Sequence, residues 1–341
     1  MTAGSVMAAE MAEQPAILRR LIGQRDDLLA RVRAILPARP VRVVIVARGS
    51  SDHAAIYGRY VLEHAARTPV ALAAPSLHTR YGVDTDYRGY VAIAASQSGR
   101  TPEIVAELEQ MRSRGAVAIA VTNDAQSPLA QSAELALTLG AGPERAIPAT
   151  KTFTAQLAVF ALLAEAMGPV PWSQADWETI PRSVEAALAD PAPAAAVAAE
   201  IGDARAAVVL ARGFMFSVAL EAALKLKETT SLLAWADSTA DFRHGPIAVV
   251  DSDLPVLALS ATGPCAADVA EITRDIRARG GHVFSVTDMP GADVPIPPGV
   301  PEALATVPAT ARAQQLALAL ARRRGLDPDT PAGLSKITAT A

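Results

Sequence analysis

The sequence predicts an α/β protein of two tandem domains, each with a parallel sheet covered by helices. Three observations lead to this fold class: strands alternate with helices, small polar residues follow the strands, and the whole pattern occurs twice. The 341 residues suffice for two domains of roughly 150 residues each. Hydrophobic residues make up 51% and aromatic residues 4%, a balance that suits Ala- and Val-rich helix-on-sheet cores.

The first half of the chain alternates strand-like runs with helical stretches. Residues 41–47 are nearly all apolar and mostly β-branched, as expected of a strand buried on both faces. A helix is predicted over 52–66, and further strands over 90–95 and 117–122. Between those two strands a helix begins near Pro102, with apolar residues at helical spacing. This order predicts a parallel sheet with helices on both faces.

The second half repeats signals of the first half at a nearly constant offset. Three segments recur in the same order along the chain. Two of them, at strand ends and the loops that follow, recur at an offset of 164, and the third, at a helix end, recurs at 165. The matched pairs are 45–49 with 209–213, 94–99 with 258–263, and 112–115 with 277–280. We interpret this as duplication of a whole α/β domain. The alternative is two unrelated parallel-sheet domains that share a style of turn.

Composition and charge exclude several classes of protein. The net charge of −4 gives no reason to expect nucleic acid or an acidic membrane surface as a partner. Cys265 is the only cysteine, which excludes an internal disulfide and a thiolate metal cluster. The five histidines lack metal-ligand spacing, and no apolar run approaches the length of a membrane span. The amino terminus shows no secretion signal, so we expect a cytoplasmic protein. The cysteine and histidine patterns, and the absence of a Gly-x-Gly-x-x-Gly fingerprint, predict neither a metal nor a nucleotide cofactor.

Two loops of the first half are candidates for phosphate binding. Residues 49–51 and 96–101 follow predicted buried strands and are rich in hydroxyl side chains. Ligands of parallel sheets bind beyond the carboxyl ends of the strands, where helix N-termini present free N–H groups. Ordinary turn and N-cap chemistry is the alternative explanation. The second copy has Phe214, Ala261 and Cys265 at the positions of Ser50, Gln97 and Thr101, so the first copy is the better phosphate candidate.

The second copy instead carries charge on its first predicted helix. Glu221, Lys225 and Glu228 are spaced i, i+4, i+7 and share one helix face. The pattern alone favours a solvated face with a Glu-to-Lys pair. The Ala- and Leu-rich remainder of the helix favours a buried cluster poised for proton transfer.

Two further polar residues lie downstream of that helix. His244 stands before Gly245 and Pro246, a loop context that is untypical of a core histidine. Lys336 lies on the carboxyl-terminal tail, where the alternative is a frayed and solvated end.

Together these motifs resemble the sugar-isomerase (SIS) domain family. They are similar to the isomerase domain of glucosamine-6-phosphate synthase and to the SIS-type glucosamine-6-phosphate deaminases. The residues that carry the resemblance follow the family's order and spacing: 96–99, 149–151, 224–228, 244–246 and Lys336. The resemblance implies two SIS domains, each a five-stranded parallel sheet flanked by helices in a flavodoxin- or Rossmann-like three-layer sandwich.

The resemblance also implies boundaries and roles. The boundaries are an N-terminal helical segment (1–39), SIS domain 1 (40–168), a helical linker (169–203), SIS domain 2 (204–325) and a tail (326–341). Glu228 would move the proton between C1 and C2, His244 would assist ring opening from the partner subunit of a homodimer, Lys336 would form or stabilise an imine, and Lys225 would balance charge. The residues implied in binding a hexose or hexosamine 6-phosphate are Gly49, Ser50, Ser51, Ser96, Gln97, Ser98, Thr101, Ala149 and Ser335.

Departures from the synthase pattern favour the deaminase branch. The loop reads Arg100-Thr101-Pro102-Glu103, and the tail has Ala332-Gly333 before Leu334. Only about forty residues precede the first strand, so we expect no glutaminase domain. The predicted reaction is glucosamine 6-phosphate to fructose 6-phosphate and ammonia. The alternatives are an enzyme that acts on another amino-sugar or fructosamine 6-phosphate, and a non-catalytic sugar-phosphate sensor.

Overall fold

A computed structural model describes residues 2–37 and 41–336. Three helices come first: α1 (Ser5–Ala12), α2 (Gln14–Gly23) and α3 (Arg25–Ile35). The first α/β copy follows, with the elements β1 (Arg42–Val46), α4 (Ser50–Ala66), β2 (Val70–Leu72), α5 (Ser76–Thr79), β3 (Tyr90–Ala95), α6 (Pro102–Ser113), β4 (Val117–Thr122), α7 (Pro128–Ser132), β5 (Leu135–Thr138) and α8 (Lys151–Met167).

Three short helices connect the two copies: α9 (Gln174–Trp177), α10 (Thr179–Ala189) and α11 (Ala192–Ile201). The second copy consists of β6 (Ala206–Ala211), α12 (Phe216–Thr230), β7 (Leu233–Ser238), α13 (Thr239–Arg243), β8 (Pro255–Leu259), α14 (Ala266–Ala278), β9 (His282–Thr287), β10 (Val294–Pro295) and α15 (Glu302–Arg323). Two 3₁₀ turns, Gly213–Met215 and Pro246–Val249, lie in its loops.

Both sheets have five parallel strands and the same topology. The strand order is β2-β1-β3-β4-β5 in the first sheet and β10-β9-β8-β6-β7 in the second. Numbered within each copy, both orders read 2-1-3-4-5. The second strand is therefore added on one side of the first strand and the third strand on its other side. We call the position between the first and third strands, where the order of addition reverses, the reversal point of the sheet. The shared topology supports the duplication interpretation and confirms the predicted fold class.

The strands are apolar because helices cover both of their faces. In the first sheet Val44 and Ala94 pack with Ile104, Leu108 and Met111 of α6. In the second sheet a comparable cluster joins strand residues to α14: Val208, Leu210, Val256, Ala258, Val269, Ile272 and Ile276. Neither sheet alternates polar and apolar residues, as expected for parallel strands with two buried faces.

The structure agrees with most of the element bounds predicted from sequence, and the first strand is one residue shorter at each end than the predicted 41–47. The strands at 90–95 and 117–122 have the predicted ends. Helix α4 begins at Ser50, two residues earlier than predicted, so Ser50 and Ser51 form its first turn. Within the segment 169–203, which the sequence predicts to be a helical linker, Ser173 and Asp176 cap the short α9 and α10 begins separately at Thr179.

The chain divides into two compact units. One contains the first sheet and comprises residues 17–37, 41–143 and 151–171 of the described part. The other contains the second sheet and comprises residues 2–16, 144–150 and 172–336. The loop 144–150 thus belongs with the second sheet. The five segment boundaries predicted from sequence stay a prediction.

Candidate active site

The first candidate loop lies at the reversal point of the first sheet. Gly49 ends the connection from β1 with φ 59°, a left-handed backbone angle that favours glycine. Ser50 and Ser51 then open α4, so their N–H groups belong to the first turn of a helix. Ser51 is buried, and its hydroxyl oxygen accepts a hydrogen bond of 2.9 Å from Gln156 Nε2 of α8.

The second loop follows β3, the neighbour of β1 across the reversal point. Ser96 Oγ accepts from the Gly99 N–H, and Ser98 Oγ accepts from the Arg100 N–H, both at 3.2 Å. Hydrogen bonds within the turn therefore explain in part why serines occupy these two positions. Each hydroxyl still has its own proton to donate to a ligand. Thr101 is the N-cap residue of α6, yet its side chain makes no capping hydrogen bond. Gln97 is half-buried in the same loop.

Two arginines flank these loops. Arg48 Nη2 lies 3.0 Å from Glu103 Oε2, and Arg100 Nη2 lies 2.9 Å from Asp124 Oδ2. Both guanidinium groups are about half exposed, and each is paired with one carboxylate beside the loops. Sequence reasoning missed Arg48. Its position directly before Gly49, repeated by Arg212 before Gly213, was the available signal.

The matching point of the second sheet already holds an anion. The Glu302 carboxylate is buried and lies against the loop 260–265, so close to Gly263 that a Cβ there would overlap it. The thiol and the backbone N–H of Cys265 both hydrogen-bond to this carboxylate. Burial and then the charge of Asp288 raise the pKa of Glu302. Sequence reasoning missed Glu302.

Helix α12 presents the charged cluster predicted from sequence. Lys225 Nζ lies 3.2 Å from Glu221 Oε1 and 2.5 Å from Glu228 Oε2. The Glu221 and Lys225 side chains are each 1% exposed, whereas Glu228 is 22% exposed. The interpretation of this face as solvated is therefore wrong, because two of its three charges are buried. Burial alone would lower the pKa of Lys225, but the two carboxylates outweigh it and raise that pKa.

His244 lies apart from this cluster in the hydrogen-bond pattern. It ends α13, is exposed, and lines a cavity of about 240 Å³ with Arg212, Arg243, Asp268 and Glu271. Among the described residues no hydrogen bond joins its imidazole to the α12 cluster. An exposed imidazole in a shallow cavity remains available to a ligand or to another molecule.

Lys336 is held on the loop 144–150. Its ammonium donates to Glu144 Oε2 at 2.8 Å and to the Ala146 carbonyl at 2.7 Å, and lies 3.4 Å from the Ile147 carbonyl. The frayed-tail interpretation is therefore wrong for Lys336, whose side chain is 24% exposed. Ala149 is half-buried in the same loop and Ser335 is exposed. Glu144 was missed, since it lies in a loop with no periodic pattern.

The predicted site residues thus form two groups, one in each compact unit. The hydroxyl-rich loops and their arginines belong to the unit with the first sheet. Lys225, Glu228, His244 and Lys336 belong to the unit with the second sheet. Within the described residues, no group of three His, Cys, Asp or Glu side chains is arranged to hold a metal ion. No described helix combines the length and apolar character needed to span a bilayer.

A family model for the SIS domain matches this chain twice, over residues 36–166 and 200–295. The two matched segments contain the two sheets and cover more than half of the chain. The chain belongs to the SIS domain family. This confirms the resemblance inferred from the sequence motifs.

Relatives of this SIS protein match over nearly its whole length. It is 32% identical over 338 residues to a glutamine–fructose-6-phosphate aminotransferase (isomerizing) of Methanothermobacter thermautotrophicus, covering 97% of this chain and 56% of that protein. An enzyme of the same name from Thermus thermophilus is 32% identical over 350 residues, with 97% and 58% covered. The chain thus spans a little over half the length of these curated relatives, which are enzymes.

Solved structures show the same fold. A protein of Silicibacter pomeroyi named as a candidate phosphosugar isomerase is 34% identical, with a TM-score of 0.82 and coverage of 95% of this chain and 99% of that one. A glucosamine-6-phosphate deaminase of Thermotoga maritima has a TM-score of 0.80 at 24% identity, with 98% and 100% covered. At that identity the second likeness supports the fold alone.

Proposed function

We propose that this SIS protein is a phosphosugar isomerase that deaminates glucosamine 6-phosphate to fructose 6-phosphate and ammonia. The observation that carries the proposal is the α12 cluster, in which a buried Glu221–Lys225 pair supports a partly exposed Glu228. Interconversion of an aldose and a ketose needs a base that moves a proton between C1 and C2. Glu228 is the member of the cluster that can reach a substrate.

The buried lysine gives Glu228 a fixed position. Its side chain is 1% exposed and its ammonium is ion-paired with a carboxylate on both sides, so it restrains the position of the Glu228 carboxylate. A carboxylate that is already oriented loses little entropy in the transition state. Lys225 thereby orients the base and balances its charge.

The hydroxyl-rich loops are proposed to bind the 6-phosphate. They combine Ser50, Ser51, Ser98 and Thr101 with N–H groups in the first turns of α4 and α6, at the reversal point of the first sheet. Ser96, Gln97 and the Gly49 backbone complete this proposed phosphate and sugar-hydroxyl site. The names of the relatives, which include fructose 6-phosphate and phosphosugar, agree with a phosphorylated hexose as ligand.

The remaining roles follow the family resemblance. His244 is proposed to assist ring opening, supplied by the partner subunit of a homodimer. Lys336 is proposed to act at the C2 carbonyl through an imine, with Ala149 and Ser335 beside the sugar. The deaminating direction rests on the segments 100–103 and 332–333, which resemble the deaminase branch.

An ammonia-release assay tests the proposal. Purified protein is incubated with glucosamine, galactosamine, N-acetylglucosamine and fructosamine 6-phosphates, and ammonia and ketose phosphate are measured together. We expect equal release of ammonia and fructose 6-phosphate from glucosamine 6-phosphate, and none by Glu228→Gln. Tight binding of a sugar phosphate without turnover of any of them would contradict the proposal and favour a sensor.

The aminating direction is the second candidate. The curated relatives are named as aminotransferases and match 97% of this chain. Incubation with fructose 6-phosphate and ammonium ion, followed by detection of glucosamine 6-phosphate, distinguishes it. Faster turnover in that direction at matched concentrations would favour amination.

A further inference from the structure

The ammonium of Lys336 has three acceptors, all on one loop. The Glu144 carboxylate and two carbonyls, of Ala146 and Ile147, lie within 3.4 Å of Nζ. An ammonium has three N–H donors, so this arrangement can satisfy all of them at once. Such a set of acceptors holds the end of a long, flexible side chain in one place.

Glu144 is itself held firmly. Its side chain is 0% exposed, and its second oxygen, Oε1, accepts the Thr150 N–H at 2.9 Å. A buried carboxylate is costly unless it is paired and hydrogen-bonded. Glu144 therefore depends on the Lys336 ammonium, just as the ammonium depends on Glu144.

The loop beneath them is braced from two directions. The buried Glu10 carboxylate accepts hydrogen bonds from the N–H groups of Arg145 and Ala146. The Ile147 N–H donates to the Asp329 carbonyl at 3.1 Å. The acceptors of Lys336 thus lie on a rigid support, as a group that must meet a substrate carbon requires.

We propose that Glu144 is the positioning residue of Lys336. It fixes the amino group of Lys336 over the loop 144–147 and takes its proton when the free amine is needed. This inference rests on the imine role proposed for Lys336 under the proposed function. Glu144 acts on the reaction only through Lys336.

Imine formation between Lys336 and the substrate carbonyl balances in protons. Proton transfer from the ammonium to the Glu144 carboxylate leaves an amine and a carboxylic acid. The amine nitrogen adds to the C2 carbonyl of the open-chain ketose phosphate, and its proton passes to the former carbonyl oxygen. Glu144 then returns its proton to the Lys336 nitrogen, which passes it to that hydroxyl, and the hydroxyl leaves as water. The products are a protonated imine on Lys336 and an ionised Glu144.

Kinetics of Glu144→Gln provide the first test. The amide keeps the size of the side chain but removes its charge and its ability to take a proton. We expect kcat to fall by about 10- to 100-fold, with the KM for the sugar phosphate unchanged, because the phosphate loops are untouched. Reduction with borohydride in the presence of fructose 6-phosphate should trap less sugar on Lys336, as measured by peptide mass. Glu144→Asp should recover part of both.

Acylation of Lys336 provides a readout that needs no turnover. With acetic anhydride in limiting amount, wild-type Lys336 should be acetylated more slowly than the exposed Lys227, and Glu144→Gln should remove that protection. Unchanged kcat, trapping and acetylation in a folded Glu144→Gln protein would overturn the inference. If Glu144→Gln does not fold, wild-type rates of trapping and acetylation in Glu144→Asp would overturn it instead.

The two proposals fail separately. An inactive wild-type protein whose Lys336 is protected by Glu144 would contradict the function and retain the positioning contact. An active wild-type protein whose Lys336 is indifferent to Glu144 would contradict this inference alone.

Discussion

The two copies of the duplicated domain share one topology, but the long helix that packs on the first helix of each copy begins with a residue of opposite charge. Helix α8 packs along α4 in the first copy, and α15 packs along α12 in the second. The first residue of α8 is the buried Lys151, and that of α15 is the buried Glu302. Each sheet has a reversal point suited to an anion, yet the carboxylate of Glu302 already lies at the second.

The first helix of the second copy carries a Glu-Lys-Glu cluster that the first helix of the first copy lacks. At the positions of Glu221, Lys225 and Glu228, helix α4 has Tyr57, Val61 and His64. The first copy thus has a pair of hydroxyl-rich loops, and the second copy has a buried charge cluster on its first helix. The comparison teaches that two copies of one topology can carry different polar groups, and the proposed function assigns phosphate binding to the first copy and proton transfer to the second.

The largest effect is expected from the cluster of the second copy. Glu228→Gln removes the proposed base while keeping the shape of the side chain, so kcat should fall by about 10²- to 10⁴-fold. Sugar-phosphate binding, measured by calorimetry, should be unchanged. The matched control is His64→Gln at the equivalent position of the first copy, which should keep wild-type kcat. Equal kcat values for the two variants would break the comparison.

The next effect concerns the loops. Ser98→Ala with Thr101→Ala removes two hydroxyl donors, and hydrogen bonds to charged groups contribute about 1.5–3 kcal/mol each. The KM for the phosphorylated substrate should therefore rise by at least about 10-fold. Thr262→Ala with Cys265→Ala changes the matching positions of the second copy and should leave KM unchanged. If KM rises for the second pair of substitutions and not for the first, the phosphate binds to the second copy and the proposed assignment is contradicted.

A stability measurement sharpens the account of the buried pair. Lys225→Met removes the ammonium that pairs with the buried Glu221 carboxylate, and breaking such a pair costs about 3–5 kcal/mol. Urea denaturation should show this loss, whereas Met at the exposed Lys227 should change the unfolding free energy by less than about 0.5 kcal/mol. Adding Glu221→Leu to Lys225→Met should recover much of the loss. Similar losses for the two single lysine variants would contradict the burial argument.

The smallest effect is a pH dependence that arises from Glu302. Burial and Asp288 raise its pKa above the ordinary 4.5, so the folded protein holds this proton more tightly than the unfolded chain does. The stability from this proton is fully present below pH 4.5 and is lost as pH rises through the higher folded-state value. Glu302→Gln should therefore gain stability relative to wild type as pH rises above 4.5. A difference that does not vary with pH would contradict the assignment.

Much of the fold could be predicted because its local patterns are strong. Strands over 90–95 and 117–122 are apolar runs with clear ends, and the offset of 164 between the copies indicated a common topology. The start of α4 was missed because Ser50 and Ser51 suit a loop and a helix first turn equally.

The site could be predicted only in part, because burial and long-range pairing are not local properties. The spacing of Glu221, Lys225 and Glu228 predicts a shared helix face, but elements distant in sequence decide whether that face meets water. Glu144 and Lys336 are 192 residues apart, so no local pattern could pair them. Glu302 escaped notice for the same reason, since its contact with the loop 260–265 exists only in the folded unit.

Proton exchange at the substrate carbon tests the central claim most directly. Fructose 6-phosphate is incubated with the protein in D₂O, and deuterium at C1 is followed by NMR for wild type, Glu228→Gln, and Ser98→Ala with Thr101→Ala. We predict exchange by wild type, none by Glu228→Gln even at saturating substrate, and wild-type exchange by the loop variant once its higher KM is saturated. Exchange by Glu228→Gln at the wild-type rate would contradict the claim that the second copy transfers the proton while the first copy binds the phosphate.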